Sequence, residues 1–334
     1  MKVAVIGAGS WGTTVAHLCA HNADTVLFAR NLEVVAAIND RNENHRYLPG
    51  RELHPDLSCG IEIEACVDGA DVIVMGVPSA AMASTAASLA ALDLAPVPVI
   101  SLAKGLDRET GKRMTQVLEE QLPDWPIGVL SGPNLAKEIV DGHAAASVIA
   151  MHDIDRLDGV RDVFATDLFR VYTNPDVAGC ELGGALKNVI AVAAGMAVGL
   201  GTGDNTLAAV ITRGLAELTR LGVAMGGQAT TFAGLAGMGD LIATCMSPQS
   251  RNRSVGERLG RGDTLDQIMA DMEQVAEGVK SAPVVMELAR AHGVDMPIAE
   301  EVCAVVTEGR SARDAYRGLL RRPQQPELDP SLVT

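Results

Sequence analysis

The chain opens with a short β-branched run, Val3 to Ile6, breaks at Gly7-x-Gly9-x-x-Gly12, and resumes with apolar positions at helical spacing through Val15, Leu18 and Cys19. Further apolar runs at 25–30 (TVLFAR), 70–79 (ADVIVMGVPS), 97–107 (VPVISLAKGLD) and 126–139 (PIGVLSGPNLAKEI) each predict a strand with helical sequence between them. AASVIAM (145–151) and LFRVYTN (168–174) predict a last strand pair around a helix at 153–164. Near-continuous apolar strands alternating with helices imply a doubly wound, mostly parallel α/β sheet.

After Asn174 the period-two signal stops. Helical patterns follow near 178–198, 206–222, 251–260, 264–273, 279–292, 297–307 and 311–320, punctuated by glycine-containing turns. The expected organisation is a nucleotide-binding domain over 1–176, an all-helical domain over 177–325 and a flexible tail over 326–334. A nucleotide domain joined to a helical one puts the expected active site in a cleft between them.

The N-terminal glycines carry specific physics. Gly7 permits a tight turn, Gly9 lets backbone approach a pyrophosphate, and Gly12 lets the following helix pack on the strand, so that the helix N-terminus faces the phosphates. At the end of the 25–30 strand, where NAD enzymes carry an acid for the ribose 2′-hydroxyl, stands Arg30, which suits a 2′-phosphate and favours NADP; Glu33 keeps NAD in play. Lys104 at a strand end suits an anionic ligand.

In the helical half, Lys187 sits in ELGGALKNVIAVAAG (181–195), with Gly183, Gly184, Ala191, Ala194 and Gly195 above and below it on a helix. That small-residue face admits another backbone or a flat cofactor ring, and a lysine there is either a snorkelling surface residue or a buried working amine. Asp240 lies in a glycine-rich stretch expected to be a loop, where a carboxylate can orient a lysine or a substrate hydroxyl. Ser250, Arg251 and Asn252 precede a helical pattern, which suits either a phosphate site or an ordinary N-cap beside solvated arginines (Arg251, Arg253, Arg258 and Arg261).

Composition narrows the functional classes. A net charge of −15 argues against nucleic acid as the main partner but not against a small phosphorylated ligand. The six cysteines have neither C-x-x-C nor metal-ligand spacing, which implies reduced thiols, no metal and a cytoplasmic setting. Glycines and His17 interrupt the apolar N-terminus against a signal-peptide reading, and the apolar run from Val189 to Leu200 is too short to span a membrane.

Taken together, GAGSWGT (7–13), LAKGLD (102–107), SGPNLAKE (131–138), ELGGALKNVIAVAAG (181–195), GMGDL (237–241), SRN (250–252) and VAEG (275–278) make the chain resemble, over nearly its whole length, the bacterial-type NAD(P)-dependent glycerol-3-phosphate dehydrogenases. The resemblance implies a Rossmann-type domain followed by an all-α domain like the C-terminal domain of 6-phosphogluconate dehydrogenase. It implies reversible hydride transfer between NAD(P)H and dihydroxyacetone phosphate, giving sn-glycerol 3-phosphate for glycerophospholipid synthesis. Lys187 would be the acid/base. It and Lys104, Gly132, Asn134, Asp240, Ser250, Arg251 and Asn252 would hold the substrate, with Asn188 a further candidate. Gly7, Gly9, Ser10, Trp11, Gly12, Arg30, Lys104, Ala136, Arg251, Val275 and Glu277 would hold the cofactor. Asn134 departs from the Ser or Thr common at its position in the family. A homodimer is also expected. Rival readings are a dehydrogenase of the same plan acting on a β-hydroxyacid or ketopantoate-like substrate, and a non-catalytic dinucleotide sensor.

Overall fold

A computed structural model describes residues 1–272 and 276–323 and divides the chain into two compact units, 1–181 and 182–334. The division falls inside a helix rather than at the expected boundary after residue 176.

The first unit carries eight strands among its described residues: β1 (Lys2–Ile6), β2 (Asp24–Phe28), β3 (Ser58–Gly60), β4 (Val72–Met75), β5 (Val99–Ser101), β6 (Ile127–Ser131), β7 (Ala145–Met151) and β8 (Phe169–Asn174). Their order in the sheet is β3-β2-β1-β4-β5-β6-β7-β8. Pairing is parallel from β3 through β6; β7 runs antiparallel to β6, and β8 parallel to β7. The connecting helices are α1 (Ser10–Cys19), α2 (Leu32–Arg41), α3 (Ile63–Val67), α4 (Met82–Ala90), α5 (Met114–Gln121), α6 (Ala136–Val140) and α7 (Ile154–Phe164).

The alternation of strand side chains builds a core on each face. Val3 and Val5 of β1 pack with Val15 and Cys19 of α1, Ile38 of α2 and Phe164 of α7. Ala4 and Ile6 point the other way, to Met82 and Leu89 of α4 and Leu118 of α5. The strands are shorter than their apolar runs. β2 ends two residues before Arg30, β4 at Met75, and β5 three residues before Lys104, while the 126–139 run divides into β6 and α6. β3 carried no sequence signal, because it is three residues long and buries only Cys59.

The second unit is helical among its described residues: α8 (Val177–Gly199, beginning in the first unit), α9 (Asp204–Ala224), α10 (Ala229–Phe232), α11 (Asp240–Met246), α12 (Arg251–Arg261), α13 (Leu265–Ala270), α14 (Glu277–Ala291), α15 (Pro297–Glu308) and α16 (Ala312–Leu320). The stretch before Asp240 is not a loop: Leu235–Gly239 forms a wide π-helical turn that runs directly into α11. The glycines that suggested a loop are there for packing, since a Cβ on Gly237 would lie 2.1 Å from the Phe232 carbonyl oxygen.

At 23 residues, α8 is longer than the apolar run suggested and apolar enough to cross a membrane, but 89% of its most apolar window is buried inside the protein. Its small-residue face receives other backbones. A Cβ on Gly195 would fall 2.1 Å from the Arg253 carbonyl oxygen, and one on Gly256 2.0 Å from that of Val192, so α8 and α12 pack backbone to backbone. The first turn of α8 is tied down in the first unit. Asp176 accepts the Gly179 N–H (2.8 Å), and buried Glu181 accepts from the Thr115 N–H (3.0 Å) and the Arg113 guanidinium (3.0 Å). Burial holds the Glu181 carboxyl above its usual range, against the pull of Arg113.

Candidate active site

In the first unit, the turn from β1 into α1 has the form a phosphate site needs. Gly7 adopts φ +115°, and a Cβ on Gly12 would lie 2.0 Å from the Gly7 carbonyl oxygen, so neither position accepts a side chain. Gly9 differs: a Cβ there would meet no protein atom within 4 Å. The space beside it is what the backbone leaves for a ligand. Gly9 caps α1 with no side-chain hydrogen bond, and the first turn of the helix carries no acid, which leaves its N–H groups to an anion. These features fit a dinucleotide pyrophosphate. A cavity of 510 Å³ opens from this turn past the end of β2 and is lined by Gly7, Gly9, Arg30, Asn31, Arg46 and Tyr47 among others.

Other residues gather where β5 and β6 end. Lys104 Nζ donates to the Gly132 carbonyl oxygen at 2.6 Å. Gly132 has φ +135° and lies against Ser147 of β7, whose hydroxyl donates to Asn134 Oδ1. The Asn134 Nδ2 and the hydroxyl of buried Ser131 have no partner among the described residues. An amide and a hydroxyl left unpaired in this way cost about 1–3 kcal/mol each, a cost more common at binding sites than in inert cores.

The second unit centres on Lys187. It is 5% exposed, on α8, and its Nζ lies 3.0 Å from Asp240 Oδ1 at the start of α11. Thr244, one helical turn after Asp240, accepts from the ammonium and donates to Asp240 Oδ1 at 3.4 Å. Two oxygens thus hold a buried cation, which removes the snorkelling alternative. Next to the pair, burial pushes the Cys245 thiol up to about 12, so it stays protonated and is no competing nucleophile.

Ser250 caps α12, its hydroxyl accepting the Arg253 N–H at 3.3 Å. Arg253, Arg258 and Arg261 pair with Glu257, Asp263 and Asp271, so three members of the arginine cluster are engaged with carboxylates. Arg251 is exposed at the first position of α12. Asn252 is buried: its Nδ2 donates to Asn188 Oδ1 (2.8 Å) and its Oδ1 accepts the Gly278 N–H (2.8 Å). The two amides hold α8, α12 and the first turn of α14 together.

Comparison with known proteins decides the family. Residues 2–157 match the family model for the NAD-dependent glycerol-3-phosphate dehydrogenase N-terminus, and residues 176–317 match that for its C-terminus. The chain belongs to this dehydrogenase family. Glycerol-3-phosphate dehydrogenase [NAD(P)+] 2 of Sphingopyxis alaskensis is 55% identical over 330 residues, covering 99% of both chains. Glycerol-3-phosphate dehydrogenase [NAD(P)+] of Mycobacterium avium is 51% identical over 96% of this chain and 94% of its own. The crystal structure of glycerol-3-phosphate dehydrogenase from Coxiella burnetii superposes with a TM-score of 0.91 at 33% identity, covering 96% of this chain and 99% of that one.

Among the positions that the resemblance to these dehydrogenases singled out, the structure groups Gly7, Gly9, Ser10, Gly12 and Arg30 around the β1–α1 turn, and Lys104, Gly132 and Asn134 at the β5 and β6 ends. Ala136 opens α6, where its carbonyl oxygen accepts from Thr14 at 3.4 Å. The Trp11 ring turns into the core against Phe169, with its indole N–H unpaired among the described residues. Glu277 opens α14, and Val275 lies outside the described residues. Sequence reasoning missed Thr244 and Ser147. The first was readable only as the i+4 neighbour of Asp240 on a helix, and the second carried no local signal.

Proposed function

We infer that the chain catalyses the reversible interconversion of dihydroxyacetone phosphate and sn-glycerol 3-phosphate with NAD(P)H, supplying glycerophospholipid synthesis. The Lys187–Asp240–Thr244 cluster is the observation that carries this reading, supported by the family membership over both halves of the chain. A lysine ammonium has three N–H donors. Asp240 and Thr244 take two, and the third is the one to offer to a substrate carbonyl oxygen.

A nicotinamide held in the first unit would supply the hydride to the carbonyl carbon, or accept it in reverse. In reduction Lys187 gives its proton to the carbonyl oxygen as that oxygen takes the electron pair of the C=O bond, and the amine recovers a proton from solvent. In oxidation the neutral amine takes the hydroxyl proton. Asp240 stabilises the ammonium and fixes its direction. Lys104, Gly132, Asn134, Ser250 and Arg251 hold the phosphorylated substrate in this reading, with Asn252 ordering the start of α12. Ser10, Ala136 and Glu277 complete the cofactor contacts in this reading. Arg30 favours NADP(H), and the six free thiols, five of them buried, suit a reducing cytoplasm.

Lys187→Ala tests the assignment. Turnover should fall by roughly 10²–10⁴-fold while NADPH binding, followed by fluorescence, stays within a few-fold. A near-normal rate would sink the acid/base role.

A further inference from the structure

The segment after α2 has no part in the chemistry above, yet it is fastened to the phosphate-binding turn. Buried Asn44 donates through Nδ2 to the Ala8 carbonyl oxygen (3.0 Å) and to Thr13 Oγ1 (2.8 Å), while its Oδ1 accepts the Tyr47 N–H (3.3 Å). Ser10 at the start of α1 donates to the Tyr47 carbonyl oxygen (3.1 Å). Leu48, with no exposed surface, anchors the far end in the core. Five consecutive residues are thereby held beside Gly7 and Gly9, and the side chains they present to the cavity are Arg46 and Tyr47. The Arg46 guanidinium stands 5.7 Å from the centre of the Tyr47 ring, a cation–π contact that restricts an otherwise exposed side chain.

The charges around this cavity have one sign. Among the described residues, Arg30 and Arg46 line it, and no aspartate or glutamate does. Glu33, the acid that could have served NAD, is not among the lining residues, and the Asn31 side-chain oxygen is taken by the N–H groups of Glu33 (2.8 Å) and Val34 (3.1 Å) as the cap of α2. A site that holds a free ribose 2′-hydroxyl wants a carboxylate acceptor, whereas one that holds a 2′-phosphate wants guanidinium donors. We propose that Arg46 acts with Arg30 as a second arm that reads the 2′-phosphate of NADP(H), its place fixed by the Asn44 fastening. The proposal rests on the dinucleotide reading above and adds a specificity-determining residue to it.

The test is calorimetric titration of the full-length protein with adenosine 2′,5′-bisphosphate and with adenosine 5′-monophosphate, which differ only in the 2′-phosphate. Wild type should bind the bisphosphate at least tenfold more tightly. Arg46→Ala should lower that preference by tenfold or more and leave adenosine 5′-monophosphate within twofold, with Arg46→Lys in between because a point charge keeps attraction but loses the fork. Arg30→Ala should act in the same direction. An unchanged preference in Arg46→Ala, or equal loss of both ligands, overturns the role of Arg46. Equal binding of both ligands to wild type overturns it too, but leaves the dinucleotide site standing. Failure of wild type to bind either one removes the dinucleotide reading itself.

Discussion

Replacing one member of the Lys187–Asp240 pair should cost more stability than replacing both. At 3.0 Å and an effective dielectric of about 20, the Coulomb attraction is about 5.5 kcal/mol. Side-chain exposures of 6% and 3% mean that both ions have given up most of their hydration, at several kcal/mol each, so the pair is close to neutral for folding. Removing one ion leaves the other buried without its counter-ion, at an expected cost of about 3–5 kcal/mol. Lys187→Met and Asp240→Asn should therefore each lower the urea midpoint by about 1–2 M, taking a slope of about 3 kcal/mol/M. The double variant Lys187→Met/Asp240→Leu should recover most of that loss while remaining inactive. Urea unfolding followed by far-ultraviolet circular dichroism separates the cases. Single variants within about 1 kcal/mol of wild type would mean that the ions are hydrated, and the burial argument would fail.

Two further outcomes follow from other sites. Arg251→Ala should raise KM for dihydroxyacetone phosphate by roughly 10–100-fold, the loss of one charge-assisted hydrogen bond of about 1.5–3 kcal/mol, and an unchanged KM would remove Arg251 from the phosphate site. Glu217 is 2% exposed and accepts the N–H groups of Ile298 (2.7 Å) and Ala299 (3.2 Å), yet burial pushes its carboxyl up to about 7. Because its folded value lies above the unfolded one, near 4.5, the native state binds the extra proton. The associated stability is complete below pH 4.5 and lost as pH rises through 7, amounting to about 3 kcal/mol. Glu217→Gln should lack that dependence, so a wild-type-to-variant gap that stays constant between pH 5 and pH 8 in urea unfolding contradicts the assignment.

The sheet was legible because buried strands alternate cleanly between two cores: Val3 and Val5 go to one face, Ala4 and Ile6 to the other. Strand ends were not. Apolar sequence continues past the last ladder bond, and nothing local says that β5 stops at Ser101 so that Lys104 can reach the Gly132 carbonyl oxygen. Residues 234–239 look like a loop because glycine weakens isolated helices; position 237 must be glycine within the helical turn because the Phe232 backbone lies where a Cβ would be. Lys187 could be picked out as anomalous among small residues, but Thr244 could not be placed beside it until 240–246 was known to be a helix. Asn252 shows how far tertiary packing goes beyond local sequence. Its neighbours Ser250 and Arg251 suggested a ligand, whereas tertiary packing brings the Gly278 N–H and the Asn188 amide to it, 26 and 64 residues away.

The most direct test of the central claim is the rate of NADPH and NADH oxidation at 340 nm with dihydroxyacetone phosphate, run beside unphosphorylated dihydroxyacetone and ketopantoate. Turnover should be fast with the phosphate alone, and faster with NADPH than with NADH. Equal rates with and without the phosphate would contradict the substrate assignment. Tight dinucleotide binding without turnover of any ketone would leave a sensor in place of an enzyme.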